Sequence, residues 1–119
     1  WQRFHLSNIP RFAKIISSQS PENFEREVLK MISNNHDRSE AVLPVLTEHT
    51  ENYPVKYTNF GKQIWAASQF KAPESARVET VILGSWGDRM VSPQCSIALA
   101  QHFGVSPQMH PWAGHDIPI

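Results

Sequence analysis

The sequence predicts an α/β protein, with a helical region over roughly residues 1–75 and a βαβ unit of a parallel sheet over 76–119. Through the first part, apolar residues recur at helical spacing between turn signals, and no alternating strand pattern occurs. After residue 75 a β-branched run, Val78, Val81, Ile82 and Leu83, stops at Gly84, the signature of a strand buried in a parallel sheet. A helix opening at Pro93 and a second short strand from Val105 to His110 complete strand, helix and strand within about 35 residues, one crossover unit.

Each element has a local reason. Asn8 followed by Pro10 opens a helix through Ile16, with Ile9, Phe12, Ala13 and Ile16 on one face. Ser20 then Pro21 gives an N-cap with proline at the first helical position, and Phe24, Val28, Met31 and Ile32 follow at i, i+4, i+7 and i+8. Asn34 and Asn35 supply the stop. Ser39 caps a third helix to about Glu51, with Pro44 either kinking it or marking its true start. Asn59 caps a fourth, in which Phe60, Ile64, Ala67 and Lys71 share a face beside Trp65 and Phe70, and Ala72-Pro73 ends it. In the helix from Pro93, Cys95, Ala98, Leu99 and His102 form a stripe closed by Phe103 and by Gly104 at C′.

The 119 residues allow one domain or a piece of one. Eleven Lys+Arg balance eleven Asp+Glu, which argues against an electrostatic nucleic-acid or anionic-membrane binder. No apolar run approaches the ~18 residues of a transmembrane helix. One cysteine, Cys95, allows no intrachain disulfide and fits a reducing, cytoplasmic setting. The chain opens at Trp1 without a visible signal peptide, so a removed segment or a fragment is expected. Two strands do not make a covered parallel sheet, and further strands are expected from sequence outside the chain, a partner chain or self-association.

The chemistry concentrates in two loops, each following a predicted strand, where open parallel sheets hold their ligand sites. The first is Gly84-Ser85-Trp86-Gly87-Asp88-Arg89-Met90-Val91-Ser92-Pro93, and the second is His110-Pro111-Trp112-Ala113-Gly114-His115-Asp116. Parallel strands bring both to one edge, so Asp88 and His115 are expected to meet. A carboxylate on one imidazole nitrogen fixes the tautomer and leaves the other nitrogen to take a proton from a nucleophile.

The G-x-x-G-D-R-x-V-x-P run followed by A-G-H-D-I-P resembles the acid and histidine loops of the α/β-hydrolase superfamily. The resemblance is specific over about residues 76–118 and diffuse before them. It implies a partial α/β-hydrolase fold, with 1–75 as a helical cap and 76–119 as the C-terminal part of the core. It implies Asp88 as triad acid and His115 as general base. Arg89, Met90 and Val91 would shape the acid loop, and Trp86, Met90 and Trp112 would contact substrate. No G-x-S-x-G nucleophile elbow and no glycine-rich oxyanion loop occur in the chain.

Other readings stand beside these. Asp88 can be a turn aspartate bonding its own loop, and His115 a solvent-exposed loop histidine. Asp116 is a substitute acid or, better, a cap of the following turn. A metal site of His110, His115 and Asp116 is disfavoured because Pro111 and Gly114 interrupt the segment. Cys95 reads as a buried thiol rather than a nucleophile, and Ser85 and Ser92 as loop hydrogen-bonding groups. The Phe24, Val28, Met31 and Ile32 stripe is core, or else the wall of an acyl pocket.

The expected function is the C-terminal portion of a serine-dependent hydrolase acting on an ester, thioester or amide, inactive alone and needing no cofactor or metal. Its partners would be a small acyl substrate and a segment or chain carrying the nucleophile, with self-association possible. The alternative is a non-catalytic assembly or partner-binding piece.

Overall fold

A computed structural model describes residues 6–54 and 56–117. A single 3-10 turn, Leu6–Asn8, leads into α1 (Ile9–Ile16). Asn8 and Pro10 start α1 as predicted, but the buried face is Phe12 and Ile15, while Ile9, Ala13 and Ile16 lie exposed. The predicted face ran one residue out of phase because the wall α1 meets is the Phe24 side of the next helix.

That helix, α2 (Pro21–Ile32), starts where the sequence placed it. The Asn23 backbone N–H donates to Ser20 Oγ (3.3 Å), and Pro21 occupies the first turn, where no N–H is needed. Replacing Ser20 with Ala costs about 1 kcal/mol on this account. Met31 joins Phe12 and Ile15 in the core, with Phe24, Val28, Ile32 and Met90 packed around them. The stripe is therefore core. Phe24 also borders a cavity of about 180 Å³ with Pro21, Thr50 and Pro54, which none of the residues 84–116 lines. Truncating Ile15, 4% exposed, to Ala would cost about 2–5 kcal/mol.

The chain turns through Ser33, Asn34 and Asn35 into α3 (His36–Asn52), which packs back along α2 as a helical hairpin. Asn35 is a start signal rather than a stop, since its side chain accepts from the Arg38 N–H (3.2 Å). Ser39, expected to cap, lies one turn inside and donates its hydroxyl to Asn35 O (2.7 Å). Pro44 sits within the helix, and its missing N–H removes one bond to the preceding turn without ending it. Arg26 ties the pair, donating to Glu40 (2.5 Å) and Glu22 (2.9 Å), and these two carboxylates raise its guanidinium pKa.

α4 (Tyr57–Gln69) begins two residues before the expected Asn59, after Lys56, with no side-chain cap. Every side chain described in it is exposed, Ile64 of the predicted apolar face and Trp65 beside it included. Phe60, placed on that face by the sequence, has a side chain outside the description.

The sheet is smaller than predicted: β1 is Leu83–Ser85 and β2 is Gln108–His110, parallel, in register Leu83 with Gln108, Gly84 with Met109 and Ser85 with His110. Val78 and Val81 precede β1 in exposed, irregular chain and Leu83 is exposed too, so of the run Ile82 alone is buried, its carbonyl accepting from the Gln108 N–H (2.9 Å). β-branched composition favours a strand only where neighbours cover it. Val105 also lies before β2 rather than in it.

α5 (Gln94–Phe103) makes the crossover. Gly104 ends it at φ +68°, and the Val105 N–H donates to Ala100 O (3.0 Å), a left-handed helix cap as the glycine foretold. The sheet-facing residues are Ser96 and Ala100, because Gly84 leaves room there: a Cβ on Gly84 would stand 2.8 Å from Ser96 and from Met109 Sδ. Ala98 and His102 of the predicted stripe face outward, His102 with Nε2 2.6 Å from Pro73 O. The architecture is thus mixed helix with a two-stranded parallel sheet, consistent with the α/β class.

Candidate active site

Strand pairing ends at Ser85 and His110, and both loops leave from that edge. The first is tied into a turn by Ser85. Its hydroxyl donates to Ala113 O (2.6 Å), lies 3.2 Å from His110 O, and accepts from the Gly87 N–H (3.1 Å). Ser85 is buried and committed to these bonds, as its loop reading expected.

The Met90 and Val91 N–H groups donate to Asp88 Oδ1 at 2.8 and 2.9 Å. The carboxyl is thereby aimed, and Asp88 Oδ2 lies 2.9 Å from His115 Nδ1 across 27 residues of sequence. A carboxylate only accepts, so Nδ1 carries the proton and Nε2 is left as the outward basic atom. The Asp88 side chain is 14% exposed and that of His115 42%, so the acid is sheltered while the histidine reaches solvent. The turn-aspartate role is also filled: one oxygen serves the loop and the other the imidazole.

α2 supplies the outer support. The His115 N–H donates to Ile32 O (2.7 Å), which the Asp116 N–H also reaches at 3.4 Å. Arg89 donates to Lys30 O (3.0 Å) and Ser33 O (2.7 Å), satisfying carbonyls that a helix end leaves unpaired. Asn8 donates from Nδ2 to Arg89 O (2.8 Å). Asn34 donates to Gly87 O (2.9 Å) and Trp112 O (2.8 Å). Gly114 is required by this approach, since a Cβ there would fall 2.0 Å from Ile32 O.

The remaining site residues divide. Trp86 and Trp112 are more than half exposed on the two loops flanking the pair. Met90, expected at the substrate, packs against Phe12, Ile15 and Met31 instead, because the Asp88 turn points its side chain inward. His110 has a role the sequence hid: its Nδ1 accepts from the Trp112 (3.3 Å) and Ala113 (2.9 Å) N–H groups, so its proton is on Nε2.

Neither buried carboxylate oxygen of Asp116 has a hydrogen-bond partner among the described residues, and the turn it was expected to cap runs into residues 118–119, outside them. Burial pushes its carboxyl above the ordinary value, as does Asp88, while its own backbone N–H and His115 pull the other way. Among the described residues no group of three His, Cys, Asp or Glu is arranged to hold a metal ion, and no helix is long and apolar enough to cross a membrane. Pro118 of the histidine motif lies outside the described residues. Comparison with protein-family models, curated proteins and solved structures gives no match.

Proposed function

We propose that the chain is the cap and C-terminal catalytic portion of a serine-dependent α/β-hydrolase, contributing Asp88 as triad acid and His115 as general base. The observation that carries this is the 2.9 Å contact from His115 Nδ1 to Asp88 Oδ2, with the other aspartate oxygen held by two backbone N–H groups. An acid fixed on one side and an imidazole nitrogen open on the other is the arrangement that activates a hydroxyl.

In this reading a serine from a segment carrying Gly-x-Ser-x-Gly gives its proton to His115 Nε2 as its oxygen bonds to the carbonyl carbon of an ester, thioester or amide. Asp88 steadies the imidazolium. The proton then passes to the leaving group as the acyl bond breaks, and water repeats the sequence to free the acid. Exposed Trp86 and Trp112 would form the rim of the acyl site. No cofactor is invoked.

The test uses the product of the full reading frame and a short-chain chromogenic ester. Replacing His115 with Ala is expected to lower turnover by about 10²–10⁴-fold, the usual contribution of a positioned general base. Turnover within a few-fold of the starting protein would overturn the reading.

The second reading, a non-catalytic assembly piece, draws on the exposed apolar side chains of Ile64, Trp65, Val78, Val81 and Leu83. Large exposed apolar surface marks interaction sites. It gains if the chain self-associates in light scattering and the ester assay stays blank.

A further inference from the structure

The pair Asp88 and His115 belongs to two loops whose strand pairing stops three and five residues earlier, at Ser85 and His110. A second connection beyond the sheet is needed to keep a 2.9 Å contact between them. The Ser85 hydroxyl supplies one, to Ala113 O (2.6 Å), and another comes from a residue that sequence reading assigned only to a helix stop. We propose that Asn34 is a positioning residue for the Asp88–His115 pair, its amide nitrogen stapling the acid loop to the histidine loop through Gly87 O and Trp112 O.

Three observations converge. The two acceptors are backbone carbonyls, which cannot donate, so the amide must present Nδ2 to both, and its two N–H bonds divide between them at 2.9 and 2.8 Å. Gly87, next to Asp88, is the residue the staple requires. A Cβ there would stand 2.7 Å from Asn34 Nδ2, 2.4 Å from Trp112 O and 2.6 Å from Ala113 O, so any side chain would part the loops.

The staple is also anchored. On its N-terminal side Ser33 O accepts from Arg89 and Ile32 O from the His115 N–H, which fixes the helix end to the same two loops. Asn34 thus sits at the crossing of three chain segments and sets their spacing. Its catalytic consequence rests on the hydrolase reading, whereas its effect on the geometry of the pair does not.

The experiment reads the imidazole nitrogen-15 spectrum of His115 in the full 119-residue chain, at a pH where the ring is neutral. Asp88 at 2.9 Å selects the Nδ1–H tautomer. In Asn34→Ala the ratio of Nδ1–H to Nε2–H is expected to fall by about tenfold, the change that follows losing one hydrogen bond's preference. Asn34→Ser keeps one donor, is the milder change should Ala unfold the chain, and is expected to fall between.

Leu43→Ala, in the helical hairpin away from the loops, destabilises the chain without touching the staple and is expected to leave the ratio unchanged. An unchanged ratio in both Asn34 variants, or an equal fall in Leu43→Ala, overturns the inference. The hydrolase reading fails separately. A fall in the Asn34 variants with no effect of His115→Ala on ester turnover keeps the positioning role and removes the catalytic one.

Discussion

The end of α2 and the fourth helix differ in how distant parts of the chain meet them. At the first, Ile32, Ser33 and Asn34 exchange hydrogen bonds with residues 53 to 84 positions away in sequence, and Ile32 O and Ser33 O receive theirs from the loops of the site. At α4 the described side chains are all exposed. Local propensity is enough to form a helix, but only bonds between distant segments give two side chains a fixed separation. The candidate site lies where such bonds are dense.

The largest expected effect tests the acid. In Asp88→Asn the amide oxygen can keep the Met90 and Val91 N–H bonds, which turns Nδ2 toward His115 and demands the opposite imidazole tautomer. Turnover of the full-frame protein is expected to drop about 10⁴-fold, as for a triad with the wrong tautomer. The melting temperature, measured by circular dichroism, should change little.

Next comes the junction itself. Gly114→Ala puts a Cβ 2.0 Å from Ile32 O, and overpacking of this kind costs about 1–3 kcal/mol in a denaturant titration. The same substitution at Gly61 on α4, where a Cβ meets nothing within 4 Å, should stabilise by about 0.5–1 kcal/mol through helix propensity.

Smaller effects follow from charge. The raised carboxyl of Asp116 binds its proton more tightly folded than unfolded, so stability falls as pH rises from about its ordinary value of 3.8 through the higher folded one. Asp116→Asn is therefore expected to raise the melting temperature at neutral pH, with the gain shrinking toward pH 4. Glu27 behaves oppositely. Hydrogen bonds from Lys14 (2.9 Å) and Lys30 (3.0 Å) hold its carboxyl below the ordinary value of 4.5. Its contribution is present above that value and is lost as pH falls through the folded one, which a Glu27→Gln comparison across pH would show. Smallest of all, Trp65→Ser on the exposed face of α4 should shift stability by no more than about 0.5 kcal/mol.

Much of the site was legible because side-chain chemistry marks it. Asp88 and His115, the glycines beside them and the Ser20-Pro21 helix start all carry signals in residue type and spacing. The support was hidden because its atoms are backbone carbonyls, Lys30 O, Ile32 O and Ser33 O, which no residue identity announces. Asn34 and Asn35 read alike as a helix stop, yet one links two loops and the other caps the next helix. The packing of Met90 against Phe12, Ile15 and Met31 was hidden because a loop residue two positions after Asp88 does not announce which way it faces until the turn is seen. Val78 and Val81 were misread because composition cannot report whether a neighbour covers them.

The most direct test of the central claim is fluorophosphonate labelling of the full-frame protein, comparing the starting sequence with Asp88→Asn. The account expects one labelled serine outside residues 1–119, with labelling strongly slowed in the variant. Labelling at an equal rate in both, or none in either, would contradict a serine activated through Asp88 and His115.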